Sequence, residues 1–253
     1  MTIPFEPVCF GLKINIHLVL EYLAFFIAFR YYLYLRKNQI DHISGANRLS
    51  IILGAAVGAL LGSRMIGFLE NPHFSHHATD LLKLLNIKTI MGGLFGGMIG
   101  VEITKKRIKE KSASGDLFTL PIILGIFIGR IGCFLSGTNE FTYGAETSYF
   151  TGMDLGDGIL RHPTSLYEMI FLAALYFICM RLYSIKEDRN GELFKIFMLS
   201  YFGFRFFIEF IKPNQFHIFS LSTIQWLCII CWIYYWPFIS KNIKYAYKKL
   251  HLL

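Results

Sequence analysis

The sequence predicts an all-α, polytopic membrane protein with about seven transmembrane helices. Its N-terminus is expected outside and its C-terminus in the cytoplasm. Three observations lead there. The chain of 253 residues is 54% hydrophobic with a mean hydropathy of +0.47, well above an ordinary soluble domain. Its apolar residues gather into seven runs near the ~20 residues a helix needs to cross a bilayer. Lys and Arg fall unevenly between those runs, which fixes a direction of insertion.

The runs lie at about 14–35, 49–70, 89–104, 117–138, 164–184, 193–212 and 218–240. The first lacks a basic n-region and a small-residue cleavage site, so it reads as a permanent span rather than a signal peptide. Gly54, Gly58 and Gly62 give the second run a smooth face at every fourth residue, the pattern that lets membrane helices approach closely. The third run is short and denser still in glycine, at Gly92, Gly93, Gly96, Gly97 and Gly100. The Gly92–Gly93 pair could also offer backbone N–H groups to an anion. The seventh carries Trp226, Trp232, Trp236, Tyr234 and Tyr235, read as lipid-facing and interfacial anchors. The whole chain, 1–253, is expected to form a single integral-membrane domain, with 139–163 as an extracytoplasmic loop.

Basic residues crowd one set of connections: Arg36, Lys37 and Arg48; Lys105, Lys106, Arg107, Lys109 and Lys111; Lys186 and Arg189; then Lys241, Lys244, Lys248 and Lys249. The positive-inside rule assigns these to the cytoplasm. The formal net charge of +8 therefore faces anionic lipid and implies no nucleic-acid partner.

Seven ionisable residues remain inside the apolar runs: His17, Glu21, Arg64, Arg130, Glu168, Arg205 and Glu209. With the topology above, they fall roughly 5 to 12 Å below the outer face at ~1.5 Å per residue. A charge at that depth costs at least a few kcal/mol, so such residues mark function by default. The bland alternative is Arg–Glu pairing that only pins helices. Three arginines, three glutamates and a histidine at one level instead suggest a polar cavity matched to phosphate, and a lipid headgroup is the anion most available there. Two pairings follow from helical spacing: Arg205 with Glu209, and His17 with Glu21, each at i, i+4. Glu168 is a candidate to orient Arg130.

Other features carry less. His73, His76 and His77 lie in one loop without a cysteine and fit no metal site, so no metal or other cofactor is expected. Cys179, Cys228 and Cys231 sit in apolar runs as small hydrophobes. Cys133 differs because it stands three residues from Arg130.

Three ordered motifs then carry a resemblance: Gly129-Arg130-Ile131-Gly132-x-Phe134; His162-Pro163-Thr164-x-Leu166-Tyr167-Glu168; and Tyr201-x-x-x-Arg205-Phe206-x-x-Glu209-Phe210. Together they resemble the prolipoprotein diacylglyceryl transferase family. Gly92-Gly93-Leu94 looks like that family's glycine-rich stretch, and Arg64 matches an arginine near the outer end of its second span. The resemblance implies a multi-pass plasma-membrane enzyme. Such an enzyme moves the diacylglyceryl group of phosphatidylglycerol onto the lipobox cysteine thiol of secreted precursor proteins and releases glycerol phosphate.

The chain departs from the family's motifs at several places. Met91 stands where a histidine precedes the glycine pair. Cys133 and Ser136 replace two asparagines, and Thr138 replaces a glutamate, with Glu140 two places on. The arginines are untouched, so Arg130 and Arg205 are expected to stabilise charge developing on phosphate. The base must come from elsewhere, and His17 and His162 are the candidates. Arg64, Gly92, Gly93, Glu21, Tyr167 and Glu140 are expected to contact substrate. The alternatives are a divergent homologue using phosphatidylglycerol with another acceptor, or a non-catalytic phospholipid-binding or transport protein.

Overall fold

A computed structural model describes residues 3–9, 11–38, 41, 43–70, 88–185, 190–213 and 218–250, with side chains through Lys244. His73, His76 and His77 lie outside the described residues. The helices are α1 (Ile16–Lys37), α2 (Gly45–Glu70), α3 (Ile90–Ile108), α4 (Asp116–Ser136), α5 (Thr164–Ile185), α6 (Glu192–Ile208), α7 (Thr223–Tyr234) and α8 (Trp236–Leu250). Two small antiparallel hairpins accompany them: β1 (Val8–Cys9) with β2 (Leu12–Lys13), and β3 (Met153–Asp154) with β4 (Leu160–Arg161). A helix thus occupies each of the seven apolar runs. Four of these, α1, α2, α4 (continued by a 3-10 turn to Asn139) and α5, are long and apolar enough to cross a membrane, or five with α7 and α8 taken as one broken span.

The seventh run differs from the expected single helix. It breaks at Tyr235, and the two parts meet at 56°. Pro237 explains the break: it lacks an N–H for the carbonyl four residues back, and its ring crowds that carbonyl. Tyr235 is not a lipid-facing anchor either. It is buried, and its hydroxyl lies 3.0 Å from Met98 Sδ.

The residues group into two compact units interleaved along the chain. One comprises 1–42, 112–197 and 210–213; the other comprises 43–111, 198–209 and 214–253. In the first unit, α1 runs antiparallel to α4. Small residues set the spacing: Gly132 faces His17 Cα and Leu20 Cβ, where an added Cβ would sit at 3.2 and 3.3 Å, and Gly125 faces Ala28. Further along, the rings of Tyr32 and Phe118 stack at 4.4 Å. The Tyr31 and Tyr176 hydroxyls, 3.0 Å apart, join α1 to α5. At the start of α4, Asp116 accepts from the backbone N–H of Gly191 at 2.8 Å and of Phe194 at 3.0 Å, capping the first turn of α6.

In the second unit, the expected glycine face is the contact between α2 and α3. Gly54, Gly58 and Gly62 meet Gly100, Gly96 and Gly92 in antiparallel order; a Cβ at Gly54 would strike the Thr104 side chain, and at any of the other five it would strike the opposite backbone. Backbones that close admit no side chain, which is why the small residues recur every fourth position on both helices. Helix α7 is held here by a capping box at Ser222 and Gln225. Thr223 Oγ1 donates to the Leu69 carbonyl at 2.8 Å.

Candidate active site

The first unit holds four of the seven ionisable residues, His17, Glu21, Arg130 and Glu168, and most of them gather around the C-terminal end of α4. Arg130 is buried, and its Nε stands 2.8 Å from Oε1 of the buried Glu168 on α5. That is the pairing the sequence left open, and it crosses two helices. One turn on, Arg130 Nη1 donates to Cys133 Sγ at 3.7 Å. His17, on α1, packs against Gly132, the residue before Cys133. His17 Nδ1 lies 3.3 Å from Glu140 Oε1.

This last contact corrects the expected pairing. The carboxylate standing 3.3 Å from His17 Nδ1 is Glu140, from the loop after α4, rather than Glu21, one turn along α1. A 3-10 turn at Gly137–Asn139 brings Glu140 back toward α1. Gly137 has φ +52°, and a side chain there would strike the Leu155 carbonyl.

The N-terminal segment closes over this end. Lys13 Nζ donates to Glu6 Oε2 at 3.0 Å, and Asn139 Nδ2 donates to Glu6 Oε1 at 2.9 Å. The Lys13 contact holds the Glu6 carboxyl below its usual range. A cleft of about 180 Å3 opens here, lined by Glu6, Lys13, Ile14, Ser136, Asn139 and Glu140. The carboxylate that holds His17 therefore also faces open space.

His162 takes a different part. Its Nδ1 lies 3.2 Å from the Tyr167 hydroxyl, which donates to Thr151 Oγ1 at 2.8 Å. Its backbone N–H and carbonyl bond Ala145 and Gly144. His162 and Tyr167 thus tie the 144–162 loop to the first turn of α5. Of the two base candidates, His17 is the one paired with a carboxylate.

The remaining expected residues belong to the second unit. Arg205 and Glu209 are both buried, and Arg205 Nη2 reaches Glu209 Oε1 at 2.5 Å, as the i, i+4 spacing implied. Arg64 is half-buried on α2. The N–H groups of Gly92 and Gly93 are not open to an anion. Thr89 caps α3 and accepts both, through Oγ1 at 3.2 Å and through its carbonyl at 3.0 Å. The glycine pair serves helix contact instead.

The sequence also misplaced one charge. Arg48, counted among the loop residues, is 2% exposed inside the first turn of α2. A basic residue just before an apolar run reads as a flanking charge, and only the longer start of α2 at Gly45 brings it into the fold.

The profile of the prolipoprotein diacylglyceryl transferase family matches residues 7–239. The chain belongs to that family. Phosphatidylglycerol–prolipoprotein diacylglyceryl transferases of several bacteria are similar to it. That of Ehrlichia ruminantium is 33% identical over 74% of this chain and 74% of the relative. That of Oleidesulfovibrio alaskensis is 30% identical over 72% and 66%, and that of Idiomarina loihiensis 28% over 83% and 82%. Met91, expected from the sequence to stand in place of a motif histidine, is buried at 1% exposure. Cys133, expected in place of an asparagine, accepts from Arg130.

Proposed function

We propose that the chain transfers the diacylglyceryl group of phosphatidylglycerol to the lipobox cysteine thiol of prolipoproteins, releasing glycerol phosphate. The observation that carries this reading is the buried Arg130–Glu168 pair standing beside the His17–Glu140 pair in a member of this family. Together they supply a fixed guanidinium for an anion and an oriented imidazole for a proton. We read the two units as one integral-membrane domain of seven spans in the plasma membrane, N-terminus outside and 139–163 extracytoplasmic. The positive-inside distribution supports that orientation.

In this reading the acceptor thiol gives its proton to His17, and Glu140 on Nδ1 orients the ring and stabilises its cationic form. The thiolate attacks the glyceryl carbon of the lipid, and the bond from that carbon to the phosphate oxygen breaks. Negative charge then grows on the departing glycerol phosphate. Arg130, already turned by Glu168, meets that charge without reorganising, which is where such groups gain most of their effect. In the second unit, Glu209 presets the Arg205 guanidinium in the same way.

The test measures glycerol phosphate release from phosphatidylglycerol micelles by the purified protein with a lipobox peptide. Beside it run a peptide with serine for cysteine and the variant Arg130→Lys, which keeps the charge opposite Glu168 but loses the planar fork. Release should require the thiol and fall about 100-fold in Arg130→Lys. Release that ignores the thiol would replace the prolipoprotein with another acceptor. Lipid binding without any release would leave a phospholipid-binding protein.

A further inference from the structure

The C-terminal helix α8 turns 56° away from α7 and carries a different kind of surface. Four of its 15 residues are lysines, and the chain holds no Asp or Glu after Glu209. The sequence sorts these charges from the apolar residues at helical spacing. Ile239, Ile243, Ala246 and Leu250 recur at steps of four, three and four, and Lys241, Lys244 and Lys248 at steps of three and four. On a helix such steps draw two stripes, here on opposite sides. Lys241 and Lys244 are exposed, and so is Ile243 at 60%, so at that point the described residues leave the apolar stripe uncovered. The neutral polar side chains turn back onto the helix itself. Ser240 Oγ donates to the Pro237 carbonyl at 3.2 Å, and Asn242 Nδ2 to that of Phe238 at 3.0 Å.

We propose that α8 is an interfacial helix that binds the anionic lipid of the cytoplasmic leaflet. The proposal rests on the orientation given above, with the C-terminus inside, and is independent of the active-site chemistry. Length supports it. The 12 residues of α7 rise about 18 Å, short of the ~30 Å hydrocarbon core. The seventh crossing therefore ends within α8, whose first turn continues apolar through Trp236, Phe238 and Ile239. Beyond that turn the bend carries the helix obliquely through the inner leaflet. There the stripe begun by Ile239 and Ile243 meets acyl chains, and the lysines opposite extend their flexible stems to the lipid phosphates. Anionic lipid is the occupant that fits both faces. A soluble polyanion would answer the lysines and leave Ile243 in water. A neutral bilayer would cover Ile243 and leave the lysines without counter-charge. A protein surface of mixed charge fits less well, since every charged side chain on α8 is positive.

The experiment places the full chain in lipid nanodiscs of phosphatidylcholine alone, or of phosphatidylcholine with phosphatidylserine, an anionic lipid that is not the proposed donor. Hydrogen exchange is read on the backbone amides of 241–250 by mass spectrometry. Each lysine near an anionic surface strengthens binding about fivefold, so these amides should exchange at least about tenfold more slowly with phosphatidylserine present. High salt should cancel the difference. Lys241→Gln, Lys244→Gln and Lys248→Gln combined should abolish the lipid dependence, while Ile243→Ser should speed exchange in both discs. Equal exchange of the wild type in the two discs overturns the proposal, and so does a lipid dependence that survives the triple substitution. Protection that appears only with added soluble polyglutamate also overturns it, by giving the lysines an acidic protein partner. Sidedness is read separately. In sealed membrane vesicles, trypsin should trim the chain after its C-terminal lysines only where the cytoplasmic face is outward. Trimming from the other face would overturn the leaflet named here together with the proposed orientation. Lipid-independent exchange in the discs would overturn the lipid binding and leave that orientation standing.

Discussion

The two buried arginine–carboxylate pairs have the same chemistry and different architecture. Arg205 and Glu209 lie on one helical stretch, so their meeting requires only that the stretch be helical. Arg130 and Glu168 lie on α4 and α5, with a loop, two strands and a helix start between them. The local pair sets the direction of a guanidinium. The distant pair does that and also joins two helices, so its loss should reach further into the fold.

The largest effect is expected at Glu168. Glu168→Ala leaves the Arg130 charge buried without its carboxylate, a change that costs about 3–5 kcal/mol when one partner of a buried pair is removed. Thermal unfolding in detergent should detect it as a marked fall in Tm. The charge swap Arg130→Glu with Glu168→Arg should recover much of that stability while glycerol phosphate release stays abolished, because the guanidinium then projects from the wrong helix. A swap as unstable as the single variant would show that the pair does not join α4 to α5.

A smaller effect is expected at Glu209. Glu209→Gln keeps an oxygen within reach of Arg205 and removes only the charge assistance, about 2 kcal/mol on the scale of hydrogen bonds to charged groups. Turnover should fall more than Tm does, since the helix forms without the pair. Equal losses of Tm in Glu209→Gln and Glu168→Gln would erase the distinction between local and helix-joining pairs.

That distinction also marks how far the sequence could be read. Contacts of fixed spacing were legible: the i, i+4 pair of α6 and its 3-10 continuation, and the glycine stripe that became the α2–α3 interface. The Arg130–Glu168 pair entered only as a candidate, because no periodicity links residues on different helices. Glu140 was expected at substrate rather than on His17, since the fold-back at Gly137 that delivers it leaves no periodic trace. The run at 218–240 looked like one span because hydropathy averages over a break that a single proline sets. Gly92 and Gly93 misled for a related reason: a glycine pair signals close approach, but whether of an anion or of another helix depends on Thr89, whose cap accepts both N–H groups.

A third pair, Arg161 with Asp157, extends the comparison into water. Arg161 Nε lies 2.8 Å from Asp157 Oδ2, and Ile159 N–H donates to Asp157 Oδ1 at 3.3 Å. Arg161 holds this carboxyl below its usual value of 3.8. A carboxyl lowered in the folded loop stabilises it above that usual value and loses the contribution as pH falls through the lowered one. Solvent screens such a pair, so its effect should be the smallest of the three and confined to the loop. Hydrogen exchange at Ile159, corrected for the intrinsic rate, should lose protection as pH drops below about 4. In Asp157→Asn that protection should be weaker and should not change across the same range. Unchanged pH dependence in Asp157→Asn would assign the acid sensitivity of this loop to another carboxyl. A shift in global Tm would mean that an exposed pair here acts like a buried one.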